Sequence, residues 1–245
     1  MYPPPLDAEP LPARTLPTER LGAILEVIIC SGFPTQLLLI AVLRGFGMPI
    51  QLGEGALNPQ FVFAVSLLDA ALVVGLVLLF LRAHHESARD VLLGPVRRLR
   101  EVFVGIGLIP LAFFIVALIM LLIRAYLPQL HNVETNPFGE MLKTRRDALI
   151  FAVVVMIAGG VREEVQRGFI LHRFGQYLGG GFYGVLLWSA LFGLGHFEQG
   201  YDAIIATATL GAFWGFIYLR RRSVIAPVVS HAGFNLAQIL THLAR

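Results

Sequence analysis

The chain has 245 residues, of which 56% are hydrophobic and only 14% are charged. Soluble globular domains carry about a quarter charged residues, so this composition excludes an ordinary soluble domain and indicates an integral membrane protein. The net charge of +3 does not indicate nucleic-acid binding, because the basic residues lie mostly in short loops between apolar blocks, where they set orientation and contact anionic lipid headgroups.

The N-terminal segment, MYPPPLDAEPLPARTLPTE, contains six prolines and mixed charges. This composition predicts a flexible tail over residues 1–19, followed by one transmembrane helical domain over residues 20–245. The segment has no apolar stretch followed by a small-residue cleavage site, so we expect no signal peptide. The chain has a single cysteine, Cys30, which excludes an intrachain disulfide.

The apolar residues come in blocks of about twenty, the length that crosses a hydrocarbon core of about 30 Å. They predict an all-α polytopic bundle of about seven transmembrane spans that encloses a polar cavity within the membrane. The spans are predicted over residues 21–43, 61–81, 102–123, 148–169, 182–196, 203–219 and 224–243. Because the fifth span is short and polar, we expect it to be buried among its neighbours.

The basic residues of the loops predict the orientation of the bundle. The loop after the second span contains five arginines, and the loop after the sixth contains Arg220, Arg221 and Arg222. Four spans separate these loops, so both lie on one side, which the positive-inside rule assigns to the cytoplasm together with the N-terminus. The loop after the third span, which includes Arg124, conflicts with this assignment but contains fewer basic residues than the two other loops together. We therefore expect an N-in protein of the plasma (inner) membrane.

The most polar stretch within an apolar block is AGGVREEVQRGF, at the end of the fourth span. On a helix Glu163 and Arg167 share a face at a spacing of four, and Glu164 and Arg167 do so at three. The spacing of four favours a Glu163–Arg167 ion pair that leaves Glu164 free as a general base, and a local loosening at Gly159 and Gly160 would reverse these roles. The two glycines also allow close approach of another helix. The alternative is a charged interfacial helix end.

Two further residue pairs stand at helical spacing in later spans, Phe192 with His196 and His231 with Asn235. Each pair alone is typical of a packing residue or an interhelical hydrogen bond. A carboxylate, two imidazoles and an amide from three apolar helices together predict a site that activates water for hydrolysis. The sequence contains neither H-E-x-x-H nor G-x-S-x-G, which disfavours the common zinc-protease helix and the serine-hydrolase elbow.

In order and spacing these motifs resemble the CAAX prenyl protease and bacteriocin-processing (CPBP) family, which includes the type II CAAX prenyl endopeptidases. The family pattern is E-E-x-x-x-R, then F-x-x-x-H, then H-x-x-x-N (or Asp). The second and third motifs are present without deviation, whereas the first, E-E-V-Q-R, is one residue short. Aligning the glutamates makes Glu163 the water-activating residue. Aligning Arg167 with the family's arginine puts Arg162 in that place, and a third possibility is an inactive motif.

The resemblance covers residues 148–239 and implies an intramembrane endopeptidase, of a type commonly called a metalloprotease, that acts on a membrane-associated or lipidated peptide or protein. The residues it implies are catalytic Glu163, Glu164, His196, His231 and Asn235, supported by Arg167 and Phe192. Metal dependence is open within the family. A divalent cation such as Zn²⁺ would be held by Glu163, His196 and His231.

A non-catalytic alternative is a membrane protein for binding, immunity, or ion- or proton-coupled transport. Buried charges also mark ion pathways through membranes. In that case Asp69 and Glu26, in the second and first spans, are the residues expected to form the pathway. The oligomeric state is not predicted by any feature of the sequence.

Overall fold

The computed structural model describes residues 16–53, 56–134, 139 and 144–243. Within these ranges the chain forms nine α-helices and no strand, which confirms the predicted all-α fold. The helices are α1 (Pro17–Cys30), α2 (Phe33–Gly45), α3 (Pro59–Ala83), α4 (Arg98–Tyr126), α5 (Arg145–Val155), α6 (Glu163–Tyr177), α7 (Gly181–Leu194), α8 (Tyr201–Arg221) and α9 (Ile225–Leu243). Two π-helices, Arg89–Leu93 and Met156–Arg162, interrupt the α-helical structure. Most of the predicted tail lies outside the described residues.

Three of these helices, α3, α4 and α8, are long and apolar enough to cross a membrane, with mean hydropathies of 2.6, 3.0 and 1.4. The helices α1 and α2 pass the same test together but are bent by 43°. The bend lies at Gly32, whose φ of 84° is a left-handed conformation that favours glycine. The described residues thus contain three such helices, or four if the bent pair is one span, and the predicted count of seven is not confirmed.

The predicted fourth span is longer than residues 148–169 and is not a continuous α-helix. The π-helix Met156–Arg162 joins α5 directly to α6, so the helical segment runs from Arg145 to Tyr177. Every residue from Glu164 to Leu171 is buried, because α6 packs against α1, α3, α7 and α8. A helix that is surrounded by protein on all sides does not need an apolar surface towards lipid. Its polar side chains need partners within the bundle instead.

The C-terminal half of α6 shows how such partners are supplied. Arg173 is fully buried, and its guanidinium donates to Glu26 Oε2 of α1 at 2.6 Å and to Glu86 Oε2 at 2.5 Å. Glu86 lies in the loop after α3 and also contacts His172 Nε2 at 2.7 Å and Gln176 Nε2 at 2.5 Å. This network links α1 and the loop after α3 to α6.

The carboxyl of Glu86 gives the network a defined pH dependence. Burial opposes ionisation of this carboxyl, but hydrogen bonds from His172, Arg173 and Gln176 outweigh burial and lower its pKa from 4.5 to about 2. Because the pKa is lower in the folded state, the contribution of Glu86 to stability is complete above pH 4.5 and is lost as the pH falls towards 2. We expect the unfolding temperature in detergent to fall over this range, and to fall less in a Glu86→Gln variant. Equal pH slopes for both proteins would contradict the assignment.

Candidate active site

A cavity of about 790 Å³ lies among α3, α4, α5, α8 and α9, and most of the predicted site residues line it. The predicted residues on its wall are Glu163, Phe192, His196, His231 and Asn235. The cavity extends from these residues to Arg124 near the C-terminal end of α4 and to Asp202 at the N-terminal end of α8. A cavity is therefore present between the helices, and three separate motifs contribute side chains to it.

The ion pair of the first motif joins Arg167 to Glu164, at a spacing of three. Both side chains are only 1% exposed. The favoured pair between Glu163 and Arg167 is therefore wrong, and the reversed pairing, expected from a local loosening at the two glycines, is observed. Glu164 faces the protein interior beside His231 while Glu163 faces the cavity. Spacings of three and four both place side chains on one helix face, and the neighbouring helix α9 decides between them.

The His231 ring is held by a hydrogen bond at its edge and by an aromatic side chain stacked on its face. Its Nδ1 lies 2.7 Å from Glu164 Oε1, and a carboxylate at this nitrogen favours the tautomer with the proton there. Trp214 stacks on the ring with a centroid distance of 3.8 Å and an angle of 16°, and its Nε1 donates to Ser230 Oγ at 3.1 Å. These contacts leave Nε2 of His231 to point towards Glu163, whose Oε2 is 3.8 Å away.

The second motif contributes His196 and Phe192. His196 follows the end of α7, and its Nδ1 lies 2.9 Å from the carbonyl oxygen of Phe192. The Phe192 ring stands edge-on to His196 at 4.9 Å and to His231 at 6.4 Å, and the Arg167 guanidinium lies over it at 4.8 Å from the centroid. Phe192 thus packs against both imidazoles and against the Arg167 guanidinium.

The two glycines before the glutamates have both of the roles expected for them. They lie in the π-helix, which is a local departure from α geometry, and they bring its backbone against α9. A Cβ atom at Gly159 would lie 2.5 Å from Asn235 Nδ2, and one at Gly160 would lie 2.6 Å from Ala232 Cβ. The third motif therefore packs directly on the main chain of the π-helix that precedes the first motif.

Replacing Gly160 by alanine is expected to destabilise the protein by about 1–3 kcal/mol, because the new methyl group overpacks this helix contact. The matched control is Gly75→Ala in α3, where a Cβ meets nothing within 4 Å. Thermal unfolding in detergent measures both effects. An unchanged unfolding temperature for Gly160→Ala would show that the π-helix and α9 are not in close contact.

The described residues do not fit the predicted zinc site. No group of three or more His, Cys, Asp or Glu side chains among them is arranged so that it could hold a metal ion. Glu163, His196 and His231 line one cavity, and each imidazole contacts the protein through Nδ1, an arrangement that is also usual for histidines that bind a metal through Nε2. Zinc binding stays a prediction of the family resemblance.

Trp214 is a site residue that the sequence analysis missed. Its sequence context, a glycine-rich apolar helix, favours simple packing, and no spacing relates it to His231. Only the contact between α8 and α9 brings the indole onto the imidazole. No signal in a single sequence distinguishes this tryptophan from Trp188, which packs in the core.

Residues 145–237 match the family model described as type II CAAX prenyl endopeptidase Rce1-like. No curated protein and no solved structure gives a significant match to the chain. The matched segment begins with α5 and ends within α9, so it includes the π-helix and all three motifs. Residues 145–237 are therefore similar to the Rce1-like CAAX proteases, as the motifs predicted, and the apolar helices indicate an integral membrane protein.

Proposed function

We propose that this protein is an intramembrane endopeptidase that hydrolyses a peptide bond of a membrane-associated or lipidated substrate by means of a water molecule activated by Glu163. The observation that supports it most directly is the meeting of Glu163 and His231 on the wall of one cavity, with Oε2 and Nε2 separated by 3.8 Å. A water molecule at about 2.8 Å from both atoms fits this separation. His196 and Asn235 line the same cavity.

In the proposed reaction the Glu163 carboxylate removes a proton from this water, and the oxygen attacks the carbonyl carbon of the substrate. The side-chain amide of Asn235 donates to the oxyanion that develops, and His196 orients the carbonyl group. The C–N bond then breaks as the proton passes from Glu163 to the leaving amine. Glu164 does not touch the reacting atoms. It holds His231 through Nδ1 and compensates the charge of Arg167.

The contacts support one alignment of the shortened first motif. If Arg167 were aligned with the family's arginine, Arg162 would occupy the place of the water-activating glutamate. Arg162 is not on the cavity wall and instead pairs with Asp69 of α3. The alignment that makes Glu163 the base is therefore the one we adopt, and the third possibility, an inactive motif, is left to the assay.

The direct test uses purified protein in detergent and two substrate sets, a library of unmodified peptides and the same C-terminal sequences carrying a prenyl group. Wild type is compared with the variants Glu163→Gln, Glu164→Gln, His196→Ala and His231→Ala. Cleavage that survives in all four variants would end the proposal. A parallel assay with a metal chelator tests the zinc prediction separately. If Glu163 activates the water without a metal, hydrolysis continues after the metal is removed.

The contacts of Asp69 and Glu26 do not favour the transport alternative. Asp69 pairs with Arg162, and Glu26 pairs with Arg173 and contacts His84 Nε2 at 2.6 Å. A proton pathway needs carboxyl groups that change partners, whereas these two carboxylates are held by buried guanidiniums. Proton flux into liposomes that is lost in Asp69→Asn, without peptide cleavage in wild type, would restore this alternative.

We further propose that the N-terminus is cytoplasmic, in the plasma (inner) membrane, as the basic loops indicate. Arg221 pairs with Glu101 near the start of α4, so Tyr126, at the end of this 29-residue helix, lies at the opposite face. In a Cys30→Ala background, a membrane-impermeant maleimide is expected to label Tyr126→Cys in intact cells and Arg220→Cys only after permeabilisation. The reverse labelling pattern would establish an N-out protein whose cavity extends towards the cytoplasm.

A further inference from the structure

Another buried ion pair involves Arg162, the residue immediately before the proposed general base in the sequence. Arg162 is the last residue of the π-helix, and its side chain, in a residue 7% exposed, pairs with Asp69 of α3, which is 2% exposed. Asp69 also accepts hydrogen bonds from Thr35 Oγ1 at 2.5 Å and from Gln36 Nε2 at 3.4 Å, both on α2. The Asp69 carboxylate of α3 therefore accepts two hydrogen bonds from α2 and forms its ion pair with an arginine of the π-helix.

The break between α1 and α2 makes room for this pair. A Cβ atom at Gly32 would overlap the Arg162 guanidinium, and the backbone at Gly32 has a left-handed φ of 84°. One turn further along α6, Gln166 Nε2 donates to the Cys30 carbonyl oxygen at 2.5 Å. The junction of α1 and α2 thus holds the start of α6 at two successive turns.

We propose that Asp69 is a positioning residue, whose ion pair with Arg162 holds the π-helix in place and so keeps Glu163 on the cavity wall. This inference rests on the proposed role of Glu163. On the side of α9, Gly159 and Gly160 bring the backbone of the π-helix into close packing, a contact that supplies no ion pair. The anchor lies on the opposite side, in the residue that immediately precedes Glu163.

The geometry of the π-helix explains why the anchor matters. A π-helix is less favourable than an α-helix and accommodates one extra residue in a turn. If Arg162 loses its partner, the segment is free to relax towards α geometry, in which each residue turns the helix by about 100°. If the π-helix lost its extra residue per turn, the Glu163 side chain would rotate away from the cavity wall. The rest of α6 would stay packed through its other residues. Arg162 Nε has no hydrogen-bond partner among the described residues, so the pair with Asp69 is its principal anchor.

The first experiment compares Asp69→Asn with Glu26→Gln. Each variant removes a carboxylate from a buried arginine that is attached to the same helical segment, but Glu26 contacts Arg173, far from the cavity. For Asp69→Asn we expect kcat to fall by about 10²-fold with KM unchanged, as for a misplaced catalytic group, and Asp69→Glu should recover part of the loss. For Glu26→Gln we expect kcat to remain as in wild type. An equal loss of kcat in Glu26→Gln would overturn the proposal, because the effect would then be general destabilisation.

A second variant covers the case in which Asp69→Asn does not fold. Asp69→Leu combined with Arg162→Leu removes both charges and leaves no unpaired buried ion, so this protein should fold. A positioning role predicts that kcat is still reduced by about 10²-fold in this folded double variant. Wild-type kcat in the double variant would show that the pair serves only to neutralise charge, and would overturn the proposal.

A third measurement does not depend on peptidase activity. Glu163→Cys in a Cys30→Ala background is alkylated with iodoacetamide, and the rate reports access of position 163 to the cavity. Adding Asp69→Asn is expected to slow alkylation several-fold, whereas adding Glu26→Gln leaves it unchanged. Unchanged alkylation with Asp69→Asn would overturn the positioning role. If wild type cleaves no peptide but alkylation slows as expected, the proposed function fails and the positioning role of Asp69 stands.

Discussion

Glu163→Gln is expected to lower the rate of peptide hydrolysis by about 10²–10⁴-fold, the contribution of a general base, while the protein folds as before. Glutamine has the same shape but cannot accept the proton of the attacking water. The change removes little stabilisation, because the Glu163 side chain is 18% exposed on the cavity wall and its contact with His231 is long, at 3.8 Å. Initial cleavage rates and the unfolding temperature of the purified variant measure the two effects.

The matched control for this variant is Glu198→Gln. Glu198 stands two residues after His196, is exposed, and is not on the cavity wall, so its loss should leave the cleavage rate as in wild type. A wild-type rate in Glu163→Gln would show that the base lies elsewhere. A large fall in unfolding temperature in the same variant would show that Glu163 has a buried partner.

The apolar blocks alone were sufficient to predict the helices that face lipid. Predicted spans at residues 61–81, 102–123 and 203–219 lie within α3, α4 and α8 and differ from them by only a few residues at each end. Hydropathy works for these helices because lipid contact demands apolar side chains along their length. It fails for α6, because this helix faces protein, and its charges are tolerated through internal ion pairs.

The roles of the two adjacent glutamates could not be assigned from local spacing. Glu164 is fixed by His231, which lies 67 residues away in the chain, and no helical periodicity relates the two positions. The same holds for Asp69, whose partner Arg162 is 93 residues away. The motifs predicted which residue types meet, but the packing of α9 and α3 against the π-helix decides which side chain faces the cavity and which is buried.

Glu164→Gln is expected to destabilise the protein more than either Gly160→Ala or Glu163→Gln, by about 3–5 kcal/mol, because it leaves a buried guanidinium without a counter-charge. Arg167 is 1% exposed, and its Nε and Nη2 have no hydrogen-bond partner among the described residues. The loss corresponds to a fall of roughly 6–20 °C in unfolding temperature for a protein of this size. Circular dichroism of the purified variant during heating in detergent gives the measurement.

A double variant separates the structural from the catalytic role of Glu164. Adding Arg167→Met to Glu164→Gln removes the unpaired charge, so most of the unfolding temperature should return. Hydrolysis should not return, because the Nδ1 of His231 then lacks the carboxylate that fixes its tautomer and orientation. Full activity in the double variant would show that Glu164 only neutralises Arg167. An unfolding temperature in Glu164→Gln alone that matches Glu163→Gln would instead contradict the buried pair itself, since the two neighbouring carboxylates differ above all in this contact.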